Sequence, residues 1–234
     1  MELLAFGDTG WGDEMLRAAL TTILVSCSAM LLGLILGTFG AAAKLSGSLP
    51  LQALAGTYTT VVRGIPELLV IYLLFFGGNR SVMFVASMFG YDGYIEIDAF
   101  TIGTFAVGIV SGAYSTEVIR GAILTVPKGE LEAARAIGMS RMLVLRRVLA
   151  PQTARFALPG LGNVWQLTLK DTSLISVTGL VEIMRQSHIA AGSTRQPFTF
   201  YLLAAALYLA ITTCSNWGFQ RAEGYANRGV RRAS

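Results

Sequence analysis

The chain has 234 residues, 53% of them hydrophobic and 14% charged, with a formal net charge of +4. Soluble domains carry roughly 25% charged residues, so this composition holds more apolar surface than one soluble core needs and excludes an ordinary soluble enzyme or nucleic-acid-binding domain. One histidine and two cysteines are too few for a closed zinc site or a disulfide framework, so neither a metal site nor a catalytic residue is expected.

In chain order, residues 18–43 carry no charge, and a helix of about 20 residues crosses a hydrocarbon core. This run is too long for a signal-peptide core and follows Asp8, Asp13 and Glu14, so it is expected to remain as an anchor. Residues 57–78 form a second apolar region, interrupted by Arg63 and Glu67 and bent by Pro66. Residues 99–116 and 196–220 are again uncharged. Between them, residues 156–181 are interrupted by Lys170 and Asp171, with Pro159, Gly160 and Gly162 as breakers. The expected architecture is an all-α integral membrane protein with five transmembrane helices in a single domain over residues 1–234. Cys27 and Cys214 fall inside uncharged runs, as packing residues.

Five spans with the N-terminus outside leave Arg17, Arg80, Lys170, Arg185 and Arg195 external, so 18 − 5 = 13 of the 18 Lys and Arg are cytoplasmic, Lys44 and Arg63 among them. That asymmetry selects this orientation over its inverse. The external segments are acidic, through Glu2, Asp8, Asp13, Glu14, Asp92, Glu96 and Asp98. The basic tail, residues 228–232, suits anionic lipid rather than nucleic acid.

The long cytoplasmic segment, about residues 125–152, contains Pro127-Lys128-Gly129-Glu130-Leu131-Glu132-Ala133-Ala134-Arg135-Ala136-Ile137-Gly138-Met139-Ser140-Arg141. Leu131, Ala134, Ile137 and Gly138 recur at helical spacing between charged flanks. Gly138 suits a helix C-terminus and Ser140 caps the next helix, which runs toward Pro151. The expected form is a protruding helix-turn-helix knuckle that a partner can approach closely.

Glu132-Ala133-Ala134, then Gly138, Val148 and Pro151, resembles the loop shared by transmembrane subunits of bacterial ABC importers. Residues 62–69, 112–121, 169–174 and 196–198 narrow the likeness to polar amino acid permeases, closest to the histidine/lysine-arginine-ornithine and the octopine and nopaline permease subunits. The resemblance covers nearly the whole chain and implies the type I importer permease fold, with Glu132, Ala133, Ala134 and Gly138 in a cytoplasmic coupling helix. It also implies a second permease subunit or a second copy of this chain, two ATP-binding subunits, a periplasmic substrate-binding protein and a bacterial inner membrane. No Gly-x-x-x-x-Gly-Lys-Ser/Thr loop occurs, so ATP and Mg are expected in the partner ATPase and no cofactor in this chain.

Glu67, Tyr114, Glu117, Asp171, Thr172 and Ser173 are the candidate pathway residues for a basic amino acid or opine, because ionisable groups inside spans are costly and usually functional. Each carboxylate also has a structural reading. Arg63–Glu67 and Glu117–Arg120 have the spacing of intrahelical ion pairs, and Asp171 before Thr172 and Ser173 has that of a cap. Tyr114 could stack on a planar cation. A substrate carboxylate would be met by amides of a broken helix near residues 160–163, or by Thr172 and Ser173. His188 reads as a surface residue. A self-sufficient secondary carrier is the alternative function; an intramembrane enzyme built on Ser111 and His188 lacks a third group.

Overall fold

The computed structural model describes residues 5–7, 10–91, 93 and 97–228. The expected acidic residues Glu2, Asp8, Asp92 and Glu96, and the tail arginines Arg231 and Arg232, lie outside them. Among the described residues every regular element is helical: α1 Gly12–Lys44, α2 Leu49–Gly64, α3 Glu67–Met88, α4 Ala99–Thr125, α5 Lys128–Ala136, α6 Arg141–Val144, α7 Ala150–Asp171, α8 Ile183–Thr194 and α9 Pro197–Ala226. A π-helical turn, Leu145–Leu149, joins α6 to α7, and a 3-10 segment, Thr172–Thr178, follows α7.

Helices α1, α3, α4 and α9 are long and apolar enough to cross a membrane. The fifth expected span falls on α7, whose 22 residues reach about 33 Å but which is not among those four apolar helices. Arg155 near its start and Lys170 and Asp171 at its end dilute its apolar character. The second span differs from the expected 57–78. Ile65 precedes Pro66 and is extended, with φ −111° and ψ 151°, because a residue before proline is pushed out of the helical region. The chain therefore breaks into α2 and α3, and Arg80, expected in an external loop, sits on α3.

The tightest packing joins α1 to α4. A Cβ on Gly37 would stand 2.5 Å from Ser115 Cβ, and one on Gly112 2.6 Å from the Tyr58 hydroxyl and 2.8 Å from Leu36. Gly33 meets Ser111, and Gly108 meets Leu32, in the same way. Gly33 with Gly37, and Gly108 with Gly112, are four residues apart, the spacing that lets two membrane helices approach backbone to backbone. Positions 33 and 37 meet 111 and 115 in ascending order, so α1 and α4 run parallel.

Two other passes run against α4. Glu67 of α3 meets Tyr114, whereas Leu74, Gly78 and Val82 share an apolar cleft with Thr101, Ile102, Phe105 and Ile109. Gly160 of α7 abuts Val118, and Ile175 beyond its end packs on Gly103. Val25, Ala29, Ile71, Ala106, Val107 and Ile175 form the buried centre where these elements converge. Helix α9 returns along α7, with Phe219 against Gly162 and Asn216 hydrogen-bonded to Gln166.

The end of the bundle opposite α5 is fixed by Glu182, which is fully buried. Its carboxylate caps α8, accepting from the amides of Met184 (2.8 Å) and Arg185 (2.7 Å), and accepts from the Tyr208 hydroxyl of α9 (2.9 Å). The Ile183 amide donates to Thr22 Oγ1 of α1 at 3.2 Å. Glu182 thus ties α8 to α9, and its neighbour Ile183 ties the same corner to α1. At the same end Asp98 caps α4, accepting from the Thr101 amide at 2.9 Å and hydroxyl at 2.6 Å. Those two donors hold its carboxyl below the usual range.

The seam predicts a contrast among glycines. Gly37→Val is expected to destabilise the protein by about 1–3 kcal/mol, the cost of overpacking a tight contact. Gly56→Ala, where a Cβ meets nothing within 4 Å, is expected to be neutral or mildly stabilising. Thermal unfolding of the purified protein in detergent checks this, and equal midpoints for the two variants would remove the seam from the account.

Candidate functional site

The α1–α4 seam brings the end of α1 beside the charged turn of α4. Lys44 Nζ reaches both the Glu117 carboxylate and, at 2.5 Å, Thr59 Oγ1 of α2. Arg120 Nε holds the other Glu117 oxygen at 3.1 Å. One carboxylate is thus shared by two cations from different helices.

Beside this group lies a cavity of about 430 Å³ lined by Lys44, Thr59, Thr60, Arg63, Gly64, Tyr114 and Glu117. The Tyr114 hydroxyl donates to Glu67 Oε1 at 3.2 Å, and the Arg63 guanidinium lies 5.2 Å from the Tyr114 ring centre. Asp171 is within electrostatic reach of both Glu67 and Tyr114. Glu67 bonds the tyrosine and Glu117 shares its cavity, which Gly64 at the end of α2 also lines.

The candidate residues sort unevenly. Glu117 and Arg120 make the intrahelical pair their spacing allows, but Glu117 also binds Lys44, expected only as one of the cytoplasmic charges. Arg63 and Glu67 lie on different helices, and both engage Tyr114. Asp171 makes no capping hydrogen bond. Thr172 Oγ1 and Ser173 Oγ donate back to the carbonyls of Leu169 and Lys170, each at 2.7 Å. Helix α7 continues through Gly160 and Asn163, so the broken helix end expected there is found instead at Gly64–Glu67. The signal for Lys44 was the glycine spacing before it, Gly33, Gly37 and Gly40, which sets where α1 ends against α4. His188 is exposed and pairs with the Tyr201 hydroxyl at 3.1 Å.

The second feature is the hairpin of α5 and α6. The amides of Gly138 and Met139 donate to the carbonyls of Arg135 (3.0 Å) and Ala134 (3.1 Å). With Gly138 at φ +83°, this is a Schellman stop, which satisfies the last carbonyls of α5 and turns the chain sharply. Ser140 Oγ then caps α6, accepting from the Leu143 amide at 3.4 Å. Gln152 Nε2 donates to Glu130 Oε2 at 2.5 Å and ties α5 to the start of α7.

Ala134 is buried in the hairpin at 6% exposure, whereas Glu132, Ala133 and Gly138 are exposed and Ile137 is 80% exposed. The expected small apolar face is thus split, with Ala134 holding the hairpin together and Ala133, Ala136 and Ile137 facing outward. The π turn beyond α6 has a covalent cause. Pro151 has no N–H to return to the Arg147 carbonyl, and the Ala150 amide bonds to Leu145 five residues back.

The Lys44–Glu117 contact predicts non-additivity. Lys44→Met and Glu117→Gln should each destabilise the protein, and the double variant should lose less than their sum, with a coupling of about 1–2 kcal/mol. Thermal midpoints of the four proteins check this; strictly additive losses would mean that the pair does not form.

Residues 29–223 match the family described as binding-protein-dependent transport system inner membrane component. The chain is 57% identical over 232 residues to the nopaline transport system permease protein NocQ of Agrobacterium fabrum, covering 99% of this chain and 98% of that one. It is 39% identical over 224 residues to the histidine/lysine/arginine/ornithine transport system permease protein HisQ of Escherichia coli K12, covering 96% and 98%. Among solved structures it resembles an amino acid ABC transporter crystallised with histidines, at TM-score 0.77 and 31% identity over 92% of this chain and 95% of that one. The inward-facing MetNI methionine ABC transporter shares the fold, at TM-score 0.68 and 14% identity over 93% and 96%. The apolar helices and the protruding hairpin are those of a multi-pass permease subunit, and this chain belongs to the family of inner membrane components of binding-protein-dependent transport systems.

Proposed function

We propose that this subunit lines the import path for basic amino acids and for opines built on them, and that the cavity beside Tyr114 is where the substrate passes. The observation that carries this reading is the mixed charge around the cavity. Glu67 and Asp171 make no ion pair among the described residues and are available to a guanidinium or ammonium group, Arg63 likewise makes none there and is available to a carboxylate, and Glu117 is already shared by Lys44 and Arg120. The first amides of α3, freed at the Pro66 break, add donors at the positive end of a helix. Arginine and opines carry both kinds of charge, and relatives of this chain are named for nopaline, octopine and arginine. Membership in a family of transport-system components disfavours the self-sufficient carrier.

In this reading the N-terminus is periplasmic and the C-terminus cytoplasmic, which places α5 in the cytoplasm. The exposed residues Glu132, Ala133 and Ile137 then dock on a partner ATPase, which holds ATP and Mg. A rigid docking helix, stopped at Gly138 and tied through Gln152 to α7, converts closure of the ATPase pair into movement of a pathway helix. The complete assembly contains two permease subunits, this chain with a homologue or a second copy, two ATPases and a periplasmic binding protein.

Two measurements test the reading. In a background with Cys27 and Cys214 replaced by serine, Gly129→Cys should react with impermeant thiol reagents only from the cytoplasm and Ser193→Cys only from the periplasm; labelling of both from one side would overturn the orientation. In the reconstituted complex, ATP-driven uptake should favour arginine or an arginine-derived opine over glutamate. Glu67→Gln/Asp171→Asn should cut uptake at least about tenfold, the equivalent of ~1.4 kcal/mol of lost binding. Preference for glutamate, or an unaffected double variant, would contradict the proposal.

A further inference from the structure

Arg63 stands in the last turn of α2, just before the chain leaves the helix at Ile65 and starts α3 at Glu67. Four residues apart on one continuous helix, Arg63 and Glu67 would face each other as an ion pair. The extended backbone at Ile65 separates them, and no ion pair joins them among the described residues. The guanidinium lies instead 5.2 Å from the centre of the Tyr114 ring, while the Tyr114 hydroxyl donates to Glu67 at 3.2 Å. The helix break thus leaves the Glu67 carboxylate without a paired cation and sets a cation of this chain on the ring beside it.

Arg63 and Tyr114 both line the cavity of the candidate site, and the arginine is exposed. A cation stacked on a ring at an exposed position is held far less firmly than a guanidinium paired bidentately with a carboxylate. The neighbouring Gly64 also faces open space, since an added Cβ there would meet nothing within 4 Å. The Arg63 side chain therefore has both room to leave the ring and, once a carboxylate arrives, a stronger partner to leave it for.

Taking this cavity as the substrate path, we propose that Arg63 is a specificity-determining residue that stands in for the substrate's cation on Tyr114 while the site is empty. An arriving guanidinium takes the Tyr114 face and the unpaired Glu67 carboxylate, and the α-carboxylate of the same molecule draws Arg63 off the ring. The exchange needs both charges on one ligand. A guanidinium compound without a carboxylate has to displace Arg63 with nothing to receive it. Arginine and opines built on it carry both groups, so the resident arginine selects for them.

The test uses the assembled complex without its binding protein, so that ligand choice by that protein does not enter. In a background with Cys27 and Cys214 replaced by serine, Thr60→Cys puts a thiol on the cavity wall. The slowing of its reaction with a small thiol reagent measures occupancy by arginine or by agmatine, the same molecule without its carboxylate. With Arg63 in place, agmatine is expected to protect at least about tenfold more weakly than arginine, as a site built to bond a group rejects the ligand lacking it. Arg63→Gln should close that difference from both sides: arginine protects less well, and agmatine better than it does with Arg63 present. The gain for agmatine is decisive, because an arginine that only held the carboxylate, or only supported the fold, would give none. Equal protection by both ligands with Arg63 in place, or no gain for agmatine in Arg63→Gln, would overturn the proposal and leave the path standing. Absence of protection by arginine with Arg63 in place would instead remove the path itself, and the proposal with it.

Discussion

Close approach of α1 and α4 is the constraint from which the rest of the site follows. Two helices can meet backbone to backbone only where neither projects a side chain, and Gly33 and Gly37 on one and Gly108 and Gly112 on the other provide that surface. In a bilayer, where burial of apolar area gives no net drive between helices, such contact is a main source of association. Because the glycines also fix the axial register, they determine that Lys44 arrives opposite Glu117 rather than a turn above or below it. A charged pair at that depth is tolerable because Thr59 and Arg120 complete its hydrogen bonds. The cavity beside it exists because α2 stops at Gly64 and α3 starts anew at Glu67.

The hairpin shows a different economy. Its stop at Gly138, its cap at Ser140 and its tie from Gln152 to Glu130 are all local, and they make a short helix rigid without a core of its own. The π turn that follows is imposed by Pro151, and it sets the direction in which α7 leaves the hairpin. A displacement of α5 therefore has a direct route into the helix that ends at Asp171. In the proposed function, this continuous stretch of chain is the route by which closure of the ATPase pair reaches the pathway.

Much of this was legible in the sequence because bilayer thickness and helix punctuation leave local marks. Uncharged runs announced α1, α4 and α9, and Gly138 and Ser140 announced the hairpin stop and cap. Polar residues hid what they did. Lys44 counted only as a cytoplasmic charge because its partner lies 73 positions away, and nothing local reveals a contact set by helix register. Glu182 carries no local mark of its burial, which is tolerated because its acceptors are taken by the amides of its own helix start and by Tyr208. The break at Pro66 was visible, but whether it bends one helix or separates two depends on the backbone at Ile65. Helical spacing put Ala134 and Ile137 on one face, and only the fold of the hairpin buries Ala134 while leaving Ile137 exposed.

The central claim is that the space enclosed by Lys44, Thr59, Arg63, Tyr114 and Glu117 is the substrate path. Thr60 lines that space and makes no contact on which the seam depends. A Thr60→Cys variant, free of Cys27 and Cys214 and assembled into the reconstituted complex, reports on it through its rate of reaction with a small thiol reagent. The account predicts that arginine or an arginine-derived opine, delivered under transport conditions, slows that reaction several-fold, by about the same factor as it fills the site, while glutamate leaves it unchanged. A rate indifferent to every substrate the complex transports would place the path elsewhere and contradict the account.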